Sequence, residues 1–208
     1  MNILAIDPSF RALSYSYCTG KKIYLDTISY PLGKGIGFEK IYDAVHVQWE
    51  QFNISVGHVQ KESRSKIDVV VSEIPPPIGT FAAGLYALDA YVLHNLFNTY
   101  KSIKELYVVS PSYLTSIHGT RKYKKRESTE LAKFFMENVL KDYTVIIPDN
   151  ISENTGRRTK GKLNNDKAES FIFLLRMMCK YNIRNKRNAI LKHVSAFERE
   201  HERLLCAR

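Results

Sequence analysis

Four carboxylates are spaced so that a single metal-dependent hydrolytic site could use them all: Asp7, Glu73, Asp166 and Glu169. Asp7 ends the apolar run Ile3-Leu4-Ala5-Ile6, and Glu73 ends the run Val69-Val70-Val71-Ser72. Asp166 and Glu169 stand three residues apart at the head of an apolar helical stretch. Two strand ends and one helix turn can converge on a point even when they span most of a chain. Carboxylate oxygens are the preferred ligands of Mg²⁺, and two such ions about 4 Å apart activate water and stabilise the leaving oxygen of a phosphodiester. On a helix, positions i and i+3 share a face with Cβ atoms roughly 5–6 Å apart, so two acids there repel unless a cation intervenes. Singly, each acid has another use. Asp166 and Glu169 would favour a helix N-terminus by about 0.3–1 kcal/mol; Asp7 could cap the Pro8 turn; Glu73 could pair with a lysine. Together, on a strongly basic chain, they point to metal chemistry.

The basic surplus is 31 Lys+Arg against 21 Asp+Glu, a net charge of +10, which suits a polyanion partner. Its placement is local. Arg121, Lys122, Lys124, Lys125 and Arg126 surround Tyr123, and Arg157, Arg158, Lys160 and Lys162 form a second cluster. Basic segments beside a carboxylate site would hold a phosphate backbone against its repulsion, and Tyr123 could stack on a base. Hydrophobic residues at 44% and charged residues at 25% describe a folded globular chain and exclude disorder. No apolar run reaches the roughly 18–20 residues of a membrane span, and MNILAIDPSF reads as a first strand instead of a signal peptide. Cys18, Cys179 and Cys206 are odd in number and scattered, which fits a reducing, cytoplasmic location with no disulfide framework. The histidines do not cluster, and no CxxC spacing suggests zinc.

The elements that must position the acids follow from periodicity. Strands are predicted at 2–7, at 13–17 as a half-buried strand, and at 23–29 after a turn at Lys21-Lys22. The glycines at 33, 35 and 37 complete neither the P-loop nor the dinucleotide pattern. A helix over 38–59 would present Phe38, Ile41, Tyr42, Val45 and Trp49 on one face. A strand over 67–73 is stopped by Pro75-Pro76-Pro77, and a helix over 80–98 starts with small residues that allow close approach within the domain or across a dimer. A strand at 106–109, a basic loop at 118–126, a helix over 127–140 and a strand at 143–147 come next. Residues 148–162 read as a mobile loop, 163–181 as a helix, and 186–205 as a last amphipathic helix carrying Ile190, Leu191, Val194, Phe197, Leu204 and Leu205. The result is one α/β domain over 1–208, with a central mixed sheet of about five strands flanked by helices and a helical extension over 181–208. In such sheets ligands sit at strand ends, where Asp7 and Glu73 fall.

The motifs resemble a family. ILAIDPSF is similar to the ILGIDPG opening of RuvC-type Holliday junction resolvases, and VVVSEIP resembles their second motif, a strand ending in glutamate. VVSPSYLTSIHGTRKYKK resembles their strand, proline, short helix, glycine and basic residues, and NNDKAESFIFLL their final DxxD helix. The matches keep the family order across about residues 3–175. The resemblance implies an RNase H-like fold, a homodimer, and symmetric, metal-dependent nicking of four-way and other branched DNA junctions to leave a 5′-phosphate and a 3′-hydroxyl. It implies that Asp7, Glu73, Asp166 and Glu169 hold two Mg²⁺ or Mn²⁺ ions, Asp7 bridging them, with no small-molecule cofactor and no membrane. Lys125 best matches the basic residue near the scissile phosphate, with Lys122 and Lys124 competing for that role. Ser9-Phe10 departs from the family's glycine and small polar residue, Glu169 replaces the commoner aspartate, and the prolines after Glu73 alter the neighbouring segment. Abundant Lys, Asn, Ile and Tyr suggest an AT-rich genome and a phage or viral member acting in the host cytoplasm. Rival readings are an RNase H-fold nuclease of RNA–DNA hybrids or flaps, a catalytically silent DNA-binding factor, and an actin-like ATPase, the last disfavoured by the missing phosphate loops.

Overall fold

The computed structural model describes residues 1–9, 12–30, 38–73, 82–109, 125–151, 158–159 and 161–195. The chain opens with a meander of three strands, β1 (Ile3–Pro8), β2 (Ala12–Thr19) and β3 (Lys22–Ser29). The turn between β2 and β3 falls at Gly20, with φ of +58°, one residue earlier than expected; glycine adopts that conformation without a Cβ clash. Helix α1 (Phe38–Ser63) leads to β4 (Val69–Glu73), and α2 (Ala82–Thr99) to β5 (Glu105–Val109). Helix α3 (Lys125–Asn138) precedes β6 (Thr144–Ile146), the short strands β7 (Asn150–Ile151) and β8 (Arg158–Thr159), and α4 (Asn165–Lys180). A 3-10 turn (Ile183–Asn185) and a helix α5, residues 187–195, complete the described chain.

The main sheet runs β5-β4-β1-β2-β3-β6, and β2 alone is antiparallel to the other five strands. A meander extended on its first strand by two parallel strands is the RNase H-like arrangement. The sheet has six strands where about five were expected. The strand expected at 143–147 is β6, and it pairs in parallel with Lys22–Tyr24 at the far edge, a non-local register that no sequence pattern specifies.

Strand alternation divides the interior in two. Ile3, Ala5, Val69 and Val71 face α3, α4 and α5, while Leu4, Ile6, Tyr15, Tyr17 and Val70 face α1 and α2. Strand β2 is buried on both faces and not half-buried as expected, because α4 covers the side bearing Ser14 and Ser16. Those hydroxyls are satisfied inside, Ser14 with Thr27 at 2.8 Å and Ser16 with Ser170 at 2.8 Å. On α1 the buried stripe is Val45, Trp49, Phe52, Val56 and Val59, and Tyr42, expected on that face, is exposed.

Three further expectations are revised. Lys125 and Arg126 open α3 instead of closing the basic loop. The stretch over 148–162 carries the β7–β8 ladder, Asn150 opposite Thr159 and Ile151 opposite Arg158, where a loop was read. Its base is tight: a Cβ on Gly161 would lie 2.1 Å from the Pro148 carbonyl oxygen, so only glycine fits. The final helix is described over residues 187–195, with Ile190 and Val194 fully buried against the α4 side of the core; Phe197, Leu204 and Leu205 lie outside the described residues.

Candidate metal centre

Parity in the strands brings the acids to one face. Asp7 follows Ile3 and Ala5 by even steps, and Glu73 follows Val69 and Val71 likewise, so both carboxylates project toward α4 near the ends of β1 and β4. Helix α4 brings the other two. Asn164 caps it, its side chain accepting from the Lys167 backbone N–H at 2.9 Å, which satisfies one of the free donors of the first turn. The buried Ser16–Ser170 bond seats that turn on β2, the strand beside β1, and Thr129 Oγ1 on α3 donates to Asn165 Oδ1 at 2.6 Å.

One carboxylate oxygen from each of Asp7, Asp166 and Glu169 lies within 4.8 Å of the other two, a spacing that one cation could bridge. Glu73 is not in that three-way group; it joins through a side-chain hydrogen bond with Asp7. A bond between two carboxyl groups requires a proton on one of them. Asp7 is 8% exposed and Glu169 is 7% exposed, while Asp166 and Glu73 are half-buried. Burial, the charges of Glu73 and Glu169, the hydrogen bond that the protonated carboxyl gives to Glu73 and the charge of Asp166 together hold the Asp7 carboxyl well above its ordinary value. Four hard oxygen donors in mutual repulsion are the donor set that Mg²⁺ or Mn²⁺ takes, and a divalent cation would relieve that repulsion.

The sequence reading missed three neighbours of the cluster. Ser14 is the register partner of Asp7 on β2 and Thr27 that of Ser14 on β3, so a hydroxyl pair extends the polar row across the sheet. Lys167, between the two acids of α4, is buried; burial lowers its pKa and the charge of Asp26 partly restores it. A lysine one residue after an acid in an apolar helix was the available signal, but lysines are ordinarily solvent-facing.

Of the basic candidates, Arg121, Lys122, Tyr123, Lys124, Arg157 and Lys160 lie outside the described residues. Lys125 and Arg126 sit in the first turn of α3, and Arg158 is in β8. Lys162 is exposed on the short segment between β8 and α4, four residues before Asp166.

Fold and site together define an RNase H-like α/β protein with an acidic cluster built from β1, β4 and α4. Its sequence matches no protein-family profile and no curated protein. Among solved structures it is similar to T. thermophilus RuvC in complex with a Holliday junction substrate, at 11% identity over 85% of this chain and 91% of that one, TM-score 0.47. It is also similar to the yeast mitochondrial Holliday junction resolvase, at 14% identity over 96% of this chain and 83% of that one, TM-score 0.44. A ROK hexokinase from Thermus thermophilus matches at 12% identity over 56% of this chain and 36% of that one, TM-score 0.33.

Proposed function

We propose that this protein is a divalent-metal-dependent endonuclease that resolves four-way and other branched DNA junctions by paired phosphodiester hydrolysis. The observation that carries the reading is the convergence of Asp7, Glu73, Asp166 and Glu169 from three distant elements into a buried cluster. Such a cluster is unfavourable without a cation, and the chain around it carries a net charge of +10. A module that only bound DNA would gain nothing from acids that repel phosphate.

Asp7 interacts with Glu73, Asp166 and Glu169 alike and would be the ligand common to the bound metal. Glu73 and Asp166 would be further ligands, and Glu169 would be a ligand or orient water. Bound there, Mg²⁺ or Mn²⁺ supplies Lewis-acid activation of water and counter-charge for the leaving oxygen. Lys125, with Lys122 and Lys124, meets the phosphate nearest the cut, while Arg121, Tyr123 and Arg126 hold the flanking backbone. Arg157, Arg158, Lys160 and Lys162 act similarly on the backbone. These contacts position the strand and carry no sequence code.

Two symmetric cuts need two sites, and α2 supports pairing of two copies. Its outward positions Tyr86, Ala90 and Phe97 form one stripe, with Tyr86 37% and Phe97 40% exposed, and its only acidic or basic residue other than histidine is the buried Asp89. A self-complementary face of this kind suits a twofold dimer. No helix among the described residues is long and apolar enough to cross a membrane, and the scattered cysteines fit action in the cytoplasm.

The test is cleavage of a labelled immobile four-way junction, a matched duplex and an RNA–DNA hybrid in Mg²⁺, Ca²⁺ or EDTA, with Asp7→Asn alongside. Paired nicks on the junction, lost in the variant while junction binding remains, are expected. Hybrid cleavage would replace the substrate, and binding without cutting by the wild type would overturn the enzymatic reading.

A further inference from the structure

Helix α2 carries one acidic side chain, and it points inward. Asp89 is 6% exposed, and its Oδ1 accepts from the Ser72 hydroxyl at 2.9 Å. Ser72 is fully buried, and Leu88 and Val92 beside Asp89 on α2 are buried and apolar. Burial pushes the Asp89 carboxyl up, and the bond from Ser72 opposes that only in part. A polar pair in such surroundings is often no more stable than an apolar pair of similar shape, so stability alone gives little reason to keep it.

Its position gives a better one. Ser72 immediately precedes Glu73, the last residue of β4, and strand alternation turns Ser72 toward α2 and Glu73 toward α4. The pairing of β4 with β1 ends at Ile6 opposite Ser72, and at Glu73 the ladder continues only on the β5 side, opposite Val109. The Asp89–Ser72 bond therefore grips the strand from behind where one of its two ladders has run out.

We infer that Asp89 is a positioning residue for the metal centre: through Ser72 it fixes the end of β4 so that Glu73 stays within reach of Asp7. The inference rests on the reading of Glu73 as a metal ligand. It also joins the helix assigned to pairing of copies to the backbone that presents one of the four acids.

The test compares wild type, Asp89→Asn, the double variant Ser72→Ala/Asp89→Leu, and Glu73→Gln in the full chain. Mn²⁺ binding is followed by calorimetry and thermal unfolding is measured in EDTA. Asparagine keeps an oxygen that accepts from Ser72, so Asp89→Asn is expected to bind Mn²⁺ like wild type. The apolar double variant is expected to melt at or above the wild-type temperature and yet to bind Mn²⁺ about 10-fold or more weakly, the usual loss when a group supporting a ligand is removed. Wild-type Mn²⁺ affinity in the double variant, with Glu73→Gln impaired, would overturn the inference and leave the metal centre intact. Unimpaired binding by Glu73→Gln would remove its premise.

Discussion

Replacing Asp7 by asparagine should make the metal-free protein more stable while abolishing its response to metal. Asp7 is buried among Glu73, Glu169 and Asp166, and burial and those charges raise its carboxyl well above the ordinary 3.8. A folded state that raises an acid's pKa holds a proton that the unfolded chain has released. Stability therefore falls as pH rises from about the ordinary carboxylate value through the raised folded one, and stays reduced above it. Leaving a charged group buried without a partner costs on the order of 1–3 kcal/mol, or roughly 2–12 °C in melting temperature for a chain of this size. Thermal unfolding in EDTA across pH 4–8 reads this directly. The expected outcome is a higher melting temperature for Asp7→Asn near neutral pH and a shallower fall with rising pH. Saturating Mg²⁺, at about 100 times its dissociation constant, should add about 2.7 kcal/mol to wild type and far less to the variant. A variant that melts at or below wild type in EDTA would show that the acids do not strain the folded state, and the case for an obligatory cation would fail.

Asn164→Ala removes the cap of α4 and should cost about 1 kcal/mol in urea unfolding, with weaker Mg²⁺ binding as the turn bearing Asp166 frays; unchanged affinity would separate the cap from the site. Gly161→Ala places a Cβ 2.1 Å from the Pro148 carbonyl oxygen, so the base of the β7–β8 ladder must shift. Hydrogen exchange should rise in β7, β8 and the start of α4, with a loss of about 1–3 kcal/mol; exchange matching wild type would refute the close packing.

The acids were legible because each stands where local chemistry changes: an apolar run breaks at Asp7 and again at Glu73, and the 166–169 pair sits one turn into an apolar helix. These are local signals; strand parity carried Asp7 and Glu73 to one face, and α4 brought the other two. What stayed hidden was set by distant partners. Ser14 and Ser16 read as a solvent face because nothing near them in sequence announces that Thr27 and Ser170 will receive their hydroxyls. The place of β6 at the sheet edge depends on Lys22 meeting Thr144, and strands of two residues such as β7 and β8 are too short to show a period. Nothing local marks Asp89, whose partner Ser72 lies 17 residues away on β4. The basic segments were found by composition, yet composition does not say where a helix starts, which is why Lys125 and Arg126 were assigned to a loop.

The order of the acids along the chain also bears on when chemistry becomes possible during synthesis. Domains generally fold as they emerge from the ribosome, N-terminal parts first. The meander, β4 and β5 can pair before α4 exists, but a nascent chain of that length holds only Asp7 and Glu73. It also leaves the face of Ile3, Ala5, Val69 and Val71 without the helix that covers it. An unfinished or prematurely terminated product thus lacks the acidic cluster and exposes apolar surface of the kind that chaperones and proteases recognise. Docking of one late helix buries that surface and completes the acidic cluster in the same event.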